Sequence, residues 1–504
     1  MPEYLAPGVY IEEVSFRPKS IEGVSTSTAG FVGPTRYGPT TGEPELLTSF
    51  ADYERIYGGI DQLHFDSEGG VETENYMAHA VRAFFDNGGS RLYVSRVYLP
   101  LSDMEPFSGH ASWPIGSPQD VTLRARFPGR AGDMRVVFAV RPSGNLLVGV
   151  APNHVVRGVR ENDVVYIHTI GGAGAIEGFY DVMGAGPAMT FERPDATSVA
   201  LSSLQPGQHT VHLISLTVRV RQPGRFSDEQ VWADLAPHPS HRNAVQTLFT
   251  QTPNTRNRFL TIPFAIDSNL SSGAEFLRTV LSTQAQGALQ QAVMSDAEFA
   301  ALTSPPNSLE RPRPADLETV YNLTSGSDGN LPTQQSYRGQ EALRDPSTGA
   351  FIESSGLRAF EDVEDISMVA APGYSAGYAS LNGGNEARWG GIVQELMIHC
   401  EIRMRYRVAL LDSPNDFVLS EIRNFRGRFD STHAALYYPW VTVVDPLDPD
   451  GRREMHLPPS GFVAGICARS DVRHGVFKAP ANEVVLGAIG FEKLLNKAQQ
   501  DVLN

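Results

Sequence analysis

Two stretches of the chain alternate between short apolar runs typical of strands and longer amphipathic runs typical of helices. Near the start, a helix pattern over residues 72–89 ends at a Gly-Gly pair, and the strand pattern RLYVSRV (91–97) follows at once. From residue 351 onward the alternation returns, with ISMVAAP, then NEARWGGIVQELM, then YRVALLD. Strands that alternate with helices predict a parallel sheet with right-handed crossovers.

The middle of the chain has a different pattern. Short alternating runs such as MRVVFAV and HTVHLISLTVRV are separated by segments rich in Pro, Gly, Ser and Thr, which is typical of antiparallel β structure. Individual predictions include one helix over residues 272–294, a surface loop over 304–350, a helix over 355–365 and one strand over 434–444.

These patterns predict an α/β core, with a mixed, largely parallel sheet and helices, built from the N- and C-terminal blocks, plus an inserted β-rich outer domain. The expected division is an N-terminal strand arm and tether (1–22), the first part of the inner α/β domain (23–100), the inserted β-rich outer domain or domains (101–350), and the second part of the inner domain (351–504).

Composition excludes several classes of protein. The 504 residues carry a net charge of −16 and no long basic run, so no nucleic-acid partner is expected. The small cluster RMRYR (403–407) is explained by a helix C-terminus, where cations are favoured. We expect no direct membrane insertion, because no run approaches 18 apolar residues and the start lacks a signal-peptide pattern. The two cysteines, Cys400 and Cys467, lie in apolar stretches and favour a reducing cytoplasm.

The stretch GYSAG (373–377) has the spacing of a hydrolase nucleophile elbow, with Ser375 as the candidate nucleophile. Candidate acid and base partners are Asp412, His433 and His456. An elbow requires a helix directly after the serine, whereas the next helix pattern starts near Asn385. An α/β hydrolase that uses Ser375 is therefore kept as an alternative to a plain strand–helix connection.

No pattern reaches the standard of a metal or cofactor site. His238 and His241 form a pair without a third ligand, and the aspartates of DPLDPDG (445–451) do not fit the EF-hand spacing. No Walker A sequence is present. The sequence therefore predicts no catalytic residues, no metal and no cofactor, and the protein is not expected to be an enzyme.

The start of the chain combines strand chemistry with a polar tether. The residues expected to form an inter-subunit arm are Pro7, Gly8, Val9, Tyr10, Ile11, Glu12 and Glu13. A strand on a tether is suited to pair with the sheet edge of another copy of the chain. Pairing with the chain's own sheet is the alternative.

Several stretches together resemble contractile tail sheath proteins of phage tails and related contractile injection systems. They are PGVYIEEV at the start, AVRAFFDNGGSRLYVSRV (80–97), ISMVAAPG (366–373) and, most specifically, LPPSGFVAGICARSDVRHGVFKAPANE (457–483). In the last stretch the residues that carry the resemblance are Pro458, Pro459, Ser460, Gly461, Ala464, Gly465, Arg469, Asp471, Lys478, Pro480 and Asn482. The resemblance covers the first and last blocks of the chain.

The resemblance implies a structural subunit that polymerises as stacked hexameric rings around a tail tube and contracts to drive the tube through a target envelope. The implied partners are other sheath subunits, the tail tube protein, baseplate and terminator or cap proteins, and a recycling ATPase. Assembly would take place in the bacterial host cytoplasm, and the product would be part of a phage virion tail or a phage-tail-like injection particle.

By the same resemblance, residues 8–13 would be a strand donated to a neighbour, residues 15–21 a hinge, and residues 458–482 part of the inner domain near the tube. Family members usually continue beyond a helix like FEKLLNKAQQDVLN into a C-terminal arm, so that arm is expected to be missing here. A non-contractile structural assembly protein with the same arm is a further alternative.

Overall fold

The computed structural model describes residues 26–66, 71–102, 107–117, 119–171, 174–195, 197–224, 228–302, 310–346, 349–378 and 385–503. The expected arm (7–13) and hinge (15–21) lie outside these residues. Within them the chain is mixed α/β, which confirms the predicted fold class at this level. No helix in the described ranges is both long and apolar enough to cross a bilayer.

The strands of the described residues are, in chain order, β1 Thr28–Gly33, β2 Glu45–Leu47, β3 Leu63–Phe65, β4 Val71–Thr73, β5 Arg91–Arg96, β6 Ser112–Ile115, β7 Val121–Ala125, β8 Arg135–Pro142, β9 Leu147–Val148, β10 Val155–Val156, β11 Val164–Thr169, β12 Gly178–Met183, β13 Thr190–Glu192, β14 Ser198–Ala200, β15 His209–Arg221, β16 Glu229–Leu235, β17 Phe264–Ser268, β18 Glu318–Asn322, β19 Leu343–Arg344, β20 Phe351–Ile352, β21 Met368–Ala370, β22 Val408–Asp412, β23 Ala434–Tyr437, β24 Val441–Val444, β25 Glu454–Leu457 and β26 Gly490–Phe491.

The α-helices of the same residues are α1 Phe50–Tyr57, α2 Tyr76–Asp86, α3 Val245–Leu248, α4 Arg256–Thr261, α5 Gly273–Val280, α6 Thr283–Val293, α7 Asp296–Leu302, α8 Gln334–Arg338, α9 Asn385–Ile398, α10 Leu419–Arg426, α11 Ser460–His474 and α12 Lys497–Leu503. A π-helical turn, His399–Arg403, continues α9.

A six-stranded sheet takes strands from both ends of the chain, in the order β2-β5-β1-β21-β22-β23. All neighbours in it are parallel except β2 and β5. The central strand β1 is buried along its whole length, because helices cover both faces of the sheet. One face packs against α1, α2 and α11, and the other packs against α9 and the segment 356–366.

The middle of the chain forms antiparallel sheets, as its pattern predicts. The largest has the order β14-β13-β12-β11-β15-β8-β18, and β16 also pairs with the long strand β15. A second sheet has the order β17-β7-β6. A large apolar cluster joins most of these strands to α5 and α6, and all of its buried members except Tyr37 lie between residues 111 and 323. Strands β13 and β14 contribute to a second cluster.

Three local predictions are wrong in their extent. The predicted helix over 272–294 is two helices, because the Ser282 side chain accepts a hydrogen bond from the Ala285 N–H and starts α6 anew. The predicted strand over 434–444 is β23 and β24, which belong to different sheets. The predicted surface loop over 304–350 contains β18, which pairs with β8.

A buried arginine determines the conformation of the segment 356–366. The sequence predicts a helix there, but only a 3-10 helix, Gly356–Phe360, is present. Arg407 is fully buried and donates to the carbonyl oxygens of Phe360, Val363 and Ile366. Because the segment is not α-helical, its carbonyl oxygens can accept from this side chain, and that of Phe360 also accepts from the N–H of Val363. The sequence explained the basic cluster 403–407 by a helix C-terminus; Arg403 does lie in that last turn, whereas Arg407 is held by these buried carbonyl oxygens instead.

His168 of β11 is buried between two carboxylates. Its Nδ1 lies 3.1 Å from Oε1 of Glu177 and its Nε2 lies 3.2 Å from Oε1 of Glu298. Glu298 belongs to α7, so the bridge ties this helix to the sheet. Burial lowers the pKa of the ring, but the hydrogen bonds and charges of the two carboxylates outweigh burial and raise the pKa of His168 above 6.5.

We expect the stability contributed by His168 to be complete below pH 6.5 and to be lost as the pH rises through the raised pKa. His168→Gln should lower the free energy of unfolding by about 3–5 kcal/mol at pH 6, because it leaves two partly buried carboxylates without their cation. The difference from the unmodified chain should shrink by pH 9. Urea unfolding monitored by circular dichroism at both pH values tests this, and a difference independent of pH would contradict it.

Candidate functional site

Ser375 lies in a buried turn after β21. Its side chain is 1% exposed, and its Oγ donates to the carbonyl oxygen of Ser413 over 2.9 Å. The neighbouring Tyr374 donates to the carbonyl oxygen of Asp412 over 2.8 Å. The turn thus ties the end of β21 to the end of β22, and the hydroxyl does not face solvent.

The three candidate partners of Ser375 are bonded elsewhere. Nδ1 of His433 lies 3.0 Å from Oγ1 of Thr432, and Nδ1 of His456 lies 3.0 Å from Oγ1 of Thr442. The carboxylate of Asp412 accepts from Ser460. Because none of them is hydrogen-bonded to Ser375 in the described part of the chain, the geometry gives no support to the hydrolase alternative. The described ranges also contain no group of three His, Cys, Asp or Glu side chains placed to hold a metal ion.

The motif over 457–483 divides into a buried half and a half that reaches the surface. The buried members are Pro458, Pro459, Ser460, Gly461, Ala464, Gly465 and Arg469. Asp471 and Lys478 are half-buried, and Pro480 and Asn482 are exposed. The structure therefore brings the first seven into the interior, just before and along α11, leaves Asp471 half-buried in the last turn of this helix, and places Lys478, Pro480 and Asn482 on the segment that follows it.

Two glycines allow α11 to lie directly against α2. A Cβ at Gly461 would lie 2.6 Å from Cα of Ala80, and a Cβ at Gly465 would lie 2.5 Å from the carbonyl oxygen of Phe84. Any larger side chain would force the helices apart. The glycines of the motif therefore permit a close contact between α11 and α2, and this contact holds α11 against the six-stranded sheet.

The N-terminus of α11 is held by a buried carboxylate at the end of β22. Asp412 accepts from the backbone N–H and from Oγ of Ser460, both over 2.7 Å. Burial raises the pKa of Asp412 to about 7, although the two hydrogen bonds from Ser460 act in the opposite direction. A helix N-terminus carries a partial positive charge, so the carboxylate is well placed to cap it.

Hydrogen bonds hold the chain that follows α11 against the end of α2. Arg469 donates to the carbonyl oxygens of Asn87 and Val484, over 3.1 and 2.7 Å. The Asn87 side chain accepts from the N–H of Leu486 and donates to its carbonyl oxygen. Lys478 and Glu483 form an ion pair of 2.5 Å within the same segment. Asn87 was missed by sequence reasoning, although it directly precedes the Gly-Gly pair that ends α2.

The last described part of the chain, from the final turn of α11 through α12, exposes much apolar surface. Its exposed large apolar side chains are Val472, Val476, Phe477, Val484, Leu486, Ile489, Phe491, Leu494 and Val502. Phe477 and Leu494 are 87% and 89% exposed. Apolar surface concentrated in this way is typical of a protein–protein interaction site. Sequence reasoning singled out the motif but did not identify this surface, because exposure is a property of the fold.

Gly465→Ala should destabilise the chain by about 1–3 kcal/mol, because the added methyl group meets the backbone of α2. Gly390→Ala is the matched control: this glycine is also helical but has nothing within 4 Å of an added Cβ, so it should be neutral or stabilising by up to about 1 kcal/mol. Urea unfolding of the two variants measures the difference. Equal effects would show that the helices are not in close contact.

Asp412 is expected to make stability fall as the pH rises from about 4 to about 7, because the folded chain retains a proton there that the unfolded chain has lost. Asp412→Asn keeps an oxygen acceptor for Ser460 and removes the charge, so this part of the pH dependence should disappear. Thermal unfolding between pH 5 and 8 tests it. Asp412→Ala, which removes the acceptor, should be less stable at every pH, and an unchanged slope in Asp412→Asn would contradict the assignment.

Comparison with known proteins identifies the last part of the chain. Residues 391–504, which include β22, α11 and the exposed segment, match the family model described as the phage tail sheath protein central domain. None of the curated proteins compared with the chain matches it.

Three solved structures also match the chain. An anti-feeding prophage (AFP) baseplate structure is 24% identical over 32% of this chain and 37% of that chain, with a TM-score of 0.22. A sheath tail protein from Listeria innocua is 10% identical over 95% of this chain and 64% of that chain, with a TM-score of 0.39. The AFP helical sheath in its contracted state is 25% identical over 29% of this chain and 35% of that chain, with a TM-score of 0.21.

The chain thus spans between about a third and two thirds of the length of these three proteins. The family model covers the most specific of the stretches on which the resemblance rests, LPPSGFVAGICARSDVRHGVFKAPANE. The resemblance of this chain to contractile tail sheath proteins is confirmed by the phage tail sheath family match over residues 391–504.

Proposed function

We propose that the chain is a sheath subunit that polymerises as stacked hexameric rings around a tail tube and contracts to drive the tube through a target envelope. The observation that carries this proposal is the match of residues 391–504 to the phage tail sheath central domain. The part matched also contains the exposed apolar segment, which supplies a surface for assembly.

The proposed domains correspond to the two kinds of sheet, the largely parallel sheet and the antiparallel sheets. The inner α/β domain would consist of residues 23–100 and 351–504, and the β-rich outer domain of residues 101–350. The six-stranded sheet supports this division because it combines strands from both ends of the chain. The apolar cluster whose buried members, apart from Tyr37, lie between residues 111 and 323 supports it as well.

The proposed assembly has a heterologous interface, in which each copy uses two different surfaces and the polymer stays open as a helix. Residues 7–13 would add a strand to a neighbouring copy, and residues 15–21 would act as the hinge between copies. Contraction would be a change between two packings of the same subunit. Energy stored during assembly would drive it, so the subunit itself needs no nucleotide site.

The proposed partners are further copies of the chain, the tail tube protein, the baseplate, a terminator or cap protein and a recycling ATPase. Residues 458–482 would lie on the tube side of the subunit. Their second half leaves Phe477 and its neighbours open to a partner. The particle would be a phage tail or a phage-tail-like injection device assembled in the host cytoplasm.

The purified full-length chain should form striated tubes of uniform width in negative-stain electron microscopy. Deleting residues 1–14 should leave a folded monomer that forms no tubes, because the arm that joins the copies is gone. The far-ultraviolet circular dichroism spectrum of the deletion variant controls for folding. Ordered tubes from this variant would refute the role of the arm, and a full-length chain that stays monomeric at high concentration would refute the sheath function.

A further inference from the structure

The two edges of the six-stranded sheet differ in how they are protected. β2, at one edge, has only three residues and follows Pro44. Its Glu45 carboxylate accepts a hydrogen bond from Arg256 over 2.6 Å. Short, charged and covered strands of this kind keep a sheet edge from pairing with another chain. β23, at the other edge, has the sequence AALY, without a charge or a proline, so this edge has no such protection.

The backbone of β23 carries hydrogen-bonding groups on the side that faces away from β22. The carbonyl oxygen of His433 accepts from the N–H of Ala409 over 2.8 Å, and that of Tyr437 accepts from the residue after β22 over 3.1 Å. Backbone groups alternate sides along a strand, so those of Ala434 and Leu436 point outward. No strand of the described residues lies on that side. An edge of this kind is a template for one more strand.

The side chains at this edge are only partly covered. All four residues of β23 are half-buried, whereas β1 in the middle of the sheet is buried along its whole length. On the side of α9, Leu436 and Phe429 pack against the apolar cluster and stay half-buried. A strand beside β23 would cover them if one of its faces were apolar, because alternate side chains of a strand lie on the same face.

The segment 8–13 has the required pattern. Val9 and Ile11 alternate with Tyr10 and Glu12, so one face is apolar. The segment lies outside the described residues and leads to Thr28, the first residue of β1 in the same sheet. The 14 residues between the segment and β1 can span about 45 Å when extended, which is enough to reach beyond the subunit.

We propose that residues 8–13 of one copy add a seventh strand to the six-stranded sheet of another copy, beside β23. This inference rests on the proposed self-assembly and names the surface that receives the arm. Because the donated segment and the receiving edge are different surfaces, the contact is head-to-tail and adds copies without closing a dimer. The occupant is a second copy of this chain.

Site-directed cross-linking tests the pairing in assembled tubes of the full chain. Thr432→Cys places a thiol at an exposed position two residues before β23. Copies with this substitution are mixed before assembly with copies carrying Pro7→Cys or Val14→Cys, one at each end of the arm strand, and are treated with a short bismaleimide. All variants carry Cys467→Ala, since Cys467 is the half-buried native thiol.

A cross-linked dimer is expected from one of the two mixtures and from no variant alone. A dimer with Pro7→Cys means that the arm runs parallel to β23, and a dimer with Val14→Cys means that it runs antiparallel. Equal linking in both mixtures would contradict a paired strand, because only one end of the arm can lie beside residue 432.

A second experiment blocks the receiving edge. Proline is tolerated at the first residue of an edge strand whose N–H faces outward, so Ala434→Pro should keep the pairing with β22 and remove one outward donor. It should raise the critical concentration for assembly by about tenfold or more. Ala434→Ser is the matched control, because it keeps the N–H, and it should change this concentration less than about threefold. Near-ultraviolet circular dichroism checks that both variants are folded, and cross-linking decides if Ala434→Pro is not.

The outcomes separate this inference from the proposed function. Tubes that give no mixed dimer, or a folded Ala434→Pro variant that assembles like Ala434→Ser, overturn the pairing at β23 and leave the sheath function standing. The pairing between copies is also overturned if copies carrying both cysteines link only within themselves, because the arm then pairs with its own sheet. An unmodified chain that forms no tubes overturns the sheath function, and the pairing is then refuted with it.

Discussion

The parallel pairing of β1 with β21 is the contact on which the rest of the structure depends. It joins residues 28–33 to residues 368–370, so the two ends of the chain form one sheet and the whole middle of the chain starts and ends on that sheet. The pairing is stable because helices cover both faces and bury β1 completely. The chain entropy lost in closing such a pairing grows only slowly with the number of residues between the strands, so a long middle block is compatible with it.

Helix α11 packs against α2 on the six-stranded sheet and leads to residues that are exposed at the surface. Asp412 caps its start, Gly461 and Gly465 bring it against α2, and Arg469 fastens the segment that follows it. Each of these contacts is buried and stereochemically demanding, whereas the next residues expose apolar side chains. A rigid support that holds an exposed apolar surface is what an assembly interface requires, because less conformational entropy is lost when the partner binds.

Much of the α/β pattern could be predicted because local chemistry and tertiary packing agree there. The first helix, α1, is capped by Ser49, whose side chain accepts from the N–H of Asp52, and it stops at Gly58, as the local residue types favour. Predictions failed where a distant group competed with local propensity. The Arg407 side chain donates hydrogen bonds to carbonyl oxygens of the segment 356–366. Strand β18 lies within a polar, Pro-rich segment and pairs with β8. Neither partner is adjacent in sequence, so periodicity does not reveal it.

The sequence by itself determined the α/β alternation, the absence of a convincing catalytic pattern and the location of the motif at 457–483. Only the tertiary structure decided that Ser375 is a buried turn residue, that Asp412 serves α11 instead of the serine, and that the motif divides into a supporting and an exposed half. The physical reason is that hydrogen-bond partners and exposure depend on contacts between residues far apart in the chain, whereas propensity, capping and periodicity act over a few neighbouring residues.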